Sequence, residues 1–94
     1  MVTYRAMFKF FDDGVHAEVL DFPGVITCGA DLNEARRLLR SALTDMAEVT
    51  LQAGEALPQP NPMATDPAAD LEEPIHLLLG AASQVAEVAQ DANS

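Results

Sequence analysis

Tyr4-Arg5-Ala6-Met7-Phe8-Lys9-Phe10-Phe11-Asp12-Asp13-Gly14-Val15-His16-Ala17-Glu18-Val19-Leu20 is the stretch that decides the fold class. Tyr4, Ala6, Phe8 and Phe10 fall on one face of a strand, and Arg5, Met7, Lys9 and Phe11 on the other. A period of two with aromatic enrichment predicts a β-strand over residues 4–11. Asp13-Gly14 then supplies the dipeptide that a tight hairpin turn prefers, because the turn needs positive φ. Val15, Ala17 and Val19 alternate with His16, Glu18 and Leu20, predicting a second strand antiparallel to the first.

Beyond this hairpin, Phe22-Pro23-Gly24-Val25 has the form of a type II turn. Pro presets φ at the first central position and Gly supplies positive φ at the second. A short strand, Val25-Ile26-Thr27-Cys28, follows, and Gly29 and Ala30 release the chain. Asp31 lies three residues before Glu34, the spacing of an N-cap with an acid at the third helical position. Leu32, Ala35, Leu38, Leu39, Ala42, Leu43, Met46, Val49 and Ala53 recur at three- and four-residue steps and form one apolar stripe. Gly54 is placed to close the helix.

Five of the six prolines fall within residues 55–74, which predicts an extended, partly mobile connection rather than a helix or central strand. Ile75-His76-Leu77-Leu78-Leu79 is short enough for a buried strand. Ala82, Val85, Ala86 and Ala89 make a weak stripe in residues 80–94, a tail read as weak helix or disordered. The expected fold class is therefore α+β, in the order β-β-β-α-β. A three-stranded antiparallel meander carries one helix on one face, and a fourth strand lies parallel to the first after a right-handed crossover. The domain spans 1–79, with the 55–74 connection inside it and the 80–94 tail beyond. One helix covers one sheet face, so the other face or an edge is expected to meet a second copy or a partner protein.

Composition narrows the function. At 94 residues the chain is a single domain. Fifteen acids against five bases give a net charge of −10, which argues against nonspecific nucleic-acid binding and suits a basic partner. The charge is uneven: all five bases lie at or before Arg40, and residues 55–94 hold seven acids and no base. That half reads either as a solvated acidic tail or as a surface that steers a basic protein. No apolar run approaches the ~20 residues of a membrane helix, and the start lacks the pattern of a signal peptide. A single cysteine excludes an intrachain disulfide framework and fits a reducing cytosol, so a cytoplasmic location is expected.

Four pieces in order resemble the HicB-like antitoxins of bacterial toxin–antitoxin pairs. They are the strand beginning Tyr4-Arg5-Ala6 with its Asp12-Asp13-Gly14 turn, and Leu20-Asp21-Phe22-Pro23-Gly24-Val25, close to the family's "PDLPGC". Then come Thr27-Cys28-Gly29-Ala30-Asp31-Leu32-Asn33-Glu34-Ala35, close to "T-x-G-D-T-x-E-E-A", and Gly54-Glu55-Ala56-Leu57-Pro58-Gln59-Pro60, close to "GEPLPEP". The match covers roughly residues 4–60. It implies a fold like a cut-down ribonuclease H and a small basic HicA-like toxin partner that cleaves mRNA. It further implies that the antitoxin occludes the toxin's active site, and that copies self-associate as dimers or higher homo-oligomers. Ala30 departs from the family, where an Asp or similar polar residue is frequent. The segment after Leu79 holds no base, whereas many relatives carry an operator-binding module there, so no direct DNA binding is expected.

By charge complementarity to a basic partner, the expected partner-binding residues are Asp12, Asp13, Glu18, Asp21 and Phe22, with the acidic segment 66–73 as the competing surface. Arg36, Arg37 and Arg40 cluster on the helix, where pairing such as Glu34 with Arg37 is expected. A metal-dependent nuclease would need converging carboxylates, but Ala6-Met7-Phe8 in mid-strand carries none. His16 and His76 lack ligand spacing, with Glu18 and Cys28 the nearest candidates to join His16. Neither a phosphate-binding loop nor a nucleophilic triad is visible, so no enzyme activity, metal or cofactor is expected. The alternative kept beside the antitoxin is a solitary oligomeric domain of this fold with a regulatory or ligand-binding role.

Overall fold

A computed structural model describes residues 1–78; Leu79 and the tail over 80–94 lie outside the described residues. The elements are β1 (Val2–Phe11), β2 (Gly14–Val19), β3 (Ile26–Gly29), α1 (Leu32–Gln52) and β4 (Leu71–Leu77). They form one four-stranded sheet in the order β3-β2-β1-β4, with α1 on one face. The α+β class, the β-β-β-α-β order and the antiparallel meander are as the alternation predicts.

The direction of β4 is a correction. It pairs antiparallel with β1, Val2 opposite Leu77 and Phe8 opposite Leu71, not parallel to it. The sequence reading lets the helix alone make the crossover. In the structure α1 returns the chain to the end of the sheet where β1 starts, and residues 53–70 then run the length of β1 to its far end. The path is marked by Tyr4, whose hydroxyl donates to the Pro58 carbonyl at 2.8 Å, and by Asp70, whose amide donates to the Phe8 carbonyl at 2.9 Å. The connection thus adds one reversal, and β4 comes back antiparallel. It is also shorter than 55–74: β4 begins at Leu71 and contains Pro74, which a sheet tolerates because β4 is an edge strand.

Local signals account for the turns and the helix. Val25 N–H donates to the Phe22 carbonyl at 3.3 Å, and Gly24 has φ 91°, the positive value a type II turn demands at that position. Asp31 caps α1 by accepting from the Glu34 amide at 2.8 Å, while the Glu34 carboxylate accepts from the Ala30 amide at 2.6 Å. At the other end the Gly54 amide donates to the Leu51 carbonyl and the Glu55 amide to the Thr50 carbonyl, both at 3.0 Å. With Gly54 at φ 78° this is a Schellman motif.

The core lies between α1 and the face of Tyr4, Ala6, Phe8, Val15, Ala17, Val19, Ile75 and Leu77. From the helix come Ala35, Leu39, Leu43 and Ala47, one residue per turn. The apolar stripe read from sequence runs further than the contact does, because the far end of α1 overhangs the sheet: Val49 is 60% exposed. Leu39→Ala should therefore cost about 2–5 kcal/mol, and Val49→Ala no more than about 0.5 kcal/mol. Urea unfolding of the two variants beside the parent measures the contrast.

Candidate protein-binding surface

The five residues expected to bind a partner do not form one patch. Asp12 and Asp13 make the two-residue tip of the β1–β2 hairpin, since Phe11 pairs with Gly14, and both are exposed. Glu18 lies toward the other end of β2, on the sheet face away from the helix, and bonds His16 Nε2 at 3.0 Å. Asp21 is an internal clip. One carboxylate oxygen accepts from the Arg5 amide and the other from the Asn61 amide, both at 2.8 Å. Phe22 corrects the expectation of an exposed anchor: it is 3% exposed and packs edge-on against Tyr4, with ring centroids 5.3 Å apart. The Phe-Pro-Gly turn folds its aromatic ring inward, so its apolar area serves the core. Burial, with the Asp21 carboxylate adding to it, pushes the Tyr4 phenol above its ordinary range.

The competing acidic segment is also committed internally. Asp66 pairs with Lys9 at 3.3 Å, Glu72 with Arg5 at 2.9 Å, and Glu73 grips the Arg36 guanidinium through both oxygens at 2.8 and 2.9 Å. Asp70 accepts from the Phe10 amide at 2.8 Å. The connection thereby lies on the sheet face opposite α1, where Arg5, Met7 and Lys9 project, and Met7 is fully buried there. The expectation that a second copy or partner must cover that face is corrected to this extent: residues of the chain's own connection occupy part of it.

Glu72 is the centre of this arrangement. Its carboxylate accepts from the Asp66 amide at 3.0 Å, the Thr65 hydroxyl at 2.7 Å and Arg5 Nη2 at 2.9 Å. These donors hold its pKa down at about 2, the backbone amide contributing most. Asp66 is lowered too, first by the Ala68 amide and then by Lys9. The sequence reading places Glu72 and Asp70 in the competing acidic segment 66–73 and misses their internal contacts, because the proline density hides the start of β4. The alternation could have found Glu72: once Leu71 begins the strand, Glu72 falls on the face of Arg5 and Met7.

His16 and Cys28 face each other across β2 and β3, and Thr3 Oγ1 lies 2.9 Å from His76 Nδ1. Among the described residues no group of three or more His, Cys, Asp or Glu is placed to hold a metal ion. A groove of about 280 Å³ opens between α1 and β4, floored by Ala6, Phe8 and Ile75 and rimmed by Arg36 and Arg40. Arg37 meets Glu34 at 3.7 Å, the pairing expected from the sequence.

No protein-family model matches the sequence, and no curated protein matches it closely. Solved structures do match by shape. The N-terminal domain of the Burkholderia pseudomallei antitoxin HicB superposes with a TM-score of 0.66 at 17% identity, over 83% of this chain and 100% of that one. The fold is HicB-like. A chain of the HicA3 and HicB3 toxin–antitoxin complex matches with a TM-score of 0.64 at 14% identity, again over 83% and 100% of the two chains. The family resemblance read from short sequence pieces thus meets a HicB-like fold across the full length of the solved domain.

The Glu72 contacts generate a pH dependence of stability. The folded pKa lies below the ordinary value of 4.5, so the contribution is fully present above 4.5 and is lost as pH falls toward about 2. Glu72→Gln should be less stable than the parent at pH 6, and the gap should narrow steadily between pH 4.5 and 2. Denaturation midpoints at a series of pH values read this directly; a constant gap would mean that the carboxylate charge contributes nothing.

Proposed function

We propose that this protein is an antitoxin that binds a small basic HicA-like ribonuclease toxin and neutralises it by covering its active site. The HicB-like fold over the whole solved antitoxin domain is the observation that carries this reading. The toxin–antitoxin complex among its structural neighbours supports the class of partner. The charge of −10 supports it independently, since an acidic chain steers and holds a basic one.

On this reading the protein is a binding module rather than an enzyme, works in the cytoplasm, needs no cofactor and does not contact DNA itself. No helix among the described residues is long and apolar enough to cross a membrane. Self-association as a dimer or higher homo-oligomer is part of the proposal. The free edge of the sheet at β3 supports it, because Ile26 there is 55% exposed.

Affinity purification of the tagged full chain from its native host, read by mass spectrometry, should yield a basic chain well under 100 residues. Expressed alone, that chain should stop growth and cleave mRNA, and co-expression of this protein should restore both. If the tagged protein recovers only itself, the solitary-oligomer alternative replaces the antitoxin reading.

A further inference from the structure

The chain has five aromatic residues, and the fold treats them in two ways. Tyr4, Phe8 and Phe22 are buried in the core, whereas Phe10 and Phe11 are 49% and 59% exposed. The exposed pair sits where the sheet narrows. β4 pairs with β1 only as far as Phe8, and β3 pairs with β2 only as far as Val15. Phe11, Asp12 and Asp13 therefore extend past the paired strands as a finger, with Phe10 and Gly14 at its base beside Val15, Asp70 and Gly29. Alternation sends the two rings to opposite faces of it.

The charge at this end is predominantly negative. Asp12 and Asp13 form the tip; Asp31 and Glu34 open the helix beside Gly29; Asp66 and Asp70 lie on the connection next to Lys9 and Phe10. Six carboxylates stand beside three cations, Lys9, Arg36 and Arg37, and all three cations are already paired. Asp12 and Asp13 make no hydrogen bond or ion pair among the described residues, unlike the acids of the connection. An exposed aromatic pair beside unpaired carboxylates carries the two chemical features by which single-stranded RNA is held, stackable rings and anionic groups.

We propose that this finger enters the RNA-binding cleft of a basic ribonuclease, with Asp12 and Asp13 taking phosphate positions and Phe10 and Phe11 taking base positions. The proposal rests on the antitoxin reading for the identity of its occupant. It moves the partner surface away from Glu18, Asp21 and Phe22, which hold His16, the connection and the core instead. It also predicts competition: the partner cannot hold RNA and the finger together.

The test uses the full chain, isotopically labelled, with two probes. Octa-arginine at low salt should shift amide resonances most strongly over residues 10–14. Asp12→Lys with Asp13→Lys should weaken that binding at least tenfold, and Phe10→Ala with Phe11→Ala at least threefold, through lost cation–π contact. Asp45→Lys with Glu48→Lys, on the helix, should change it less than twofold. The second probe is an oligouridylate octamer on the basic chain recovered from the host, made catalytically inactive. This protein should displace the octamer, and the finger variants should displace it at least tenfold less well. Unchanged thermal midpoints confirm that the variants fold, since all four residues are exposed. Shifts centred on the helix acids, or full displacement by the finger variants, would overturn the proposal while leaving the antitoxin reading intact. Recovery of no basic chain from the host would overturn the antitoxin reading and remove the finger's occupant with it.

Discussion

The Glu72 carboxylate ties the end of the connection and the start of β4 to β1, whose Arg5 lies 67 residues away in sequence. It holds Thr65 and Asp66 at the end of the connection, belongs to the first turn of the pleat in β4, and reaches Arg5 in β1. An acid with three donors of this kind stays ionised well into the acid range. The junction has a cost. Arg5 Nε is buried without a hydrogen-bond partner among the described residues, a desolvation penalty set against the Nη2 contact to Glu72. Because the connection must reach this point from Gly54, it has to run beside β1, and that path sets the antiparallel direction of β4. The same path lays chain across the face of the sheet that α1 does not cover.

Much of this was legible in the residues. Period two in residues 4–20 predicts the first hairpin, Pro23-Gly24 predicts the turn, and Asp31, Glu34 and Gly54 mark both ends of the helix. Each of these signals is local, and local signals survive into the fold when tertiary packing agrees with them. The direction of β4 was not legible, since it depends on how far an extended connection travels. Composition cannot express that length in space. Pro74 also argues against a strand at Leu71–Leu77 unless the strand is known to lie at an edge. That position follows only from the completed sheet.

The candidate surface shows the same limit. Net charge is a property of the chain, whereas a binding surface consists of charges left over after folding. The acids of segment 66–73 are as acidic in sequence as Asp12 and Asp13, yet all four meet an internal cation or amide. Asp21 is likewise spent on two backbone amides. Phe22 stands beside Pro and Gly, and the turn that those residues make folds its ring against Tyr4 in the core. Of the acids proposed for the surface, Asp12 and Asp13 alone make no hydrogen bond or ion pair among the described residues, because a two-residue turn has no neighbour to pair with.

The finger also differs from a loop in stiffness. Its first strand continues β1, which is bonded on both sides through Phe8, and the Asp70 carboxylate holds the Phe10 amide one step further out. Ordering a flexible loop on binding costs side-chain and backbone entropy that must be recovered from contacts. A hairpin whose base is clamped on both edges has already lost that freedom on folding. The backbone of Phe10 and Phe11 is therefore held in place, and alternation sends the two side chains to opposite faces beside the two carboxylates. Under the proposed antitoxin reading, a hairpin held in this way would meet a basic cleft with little conformational penalty.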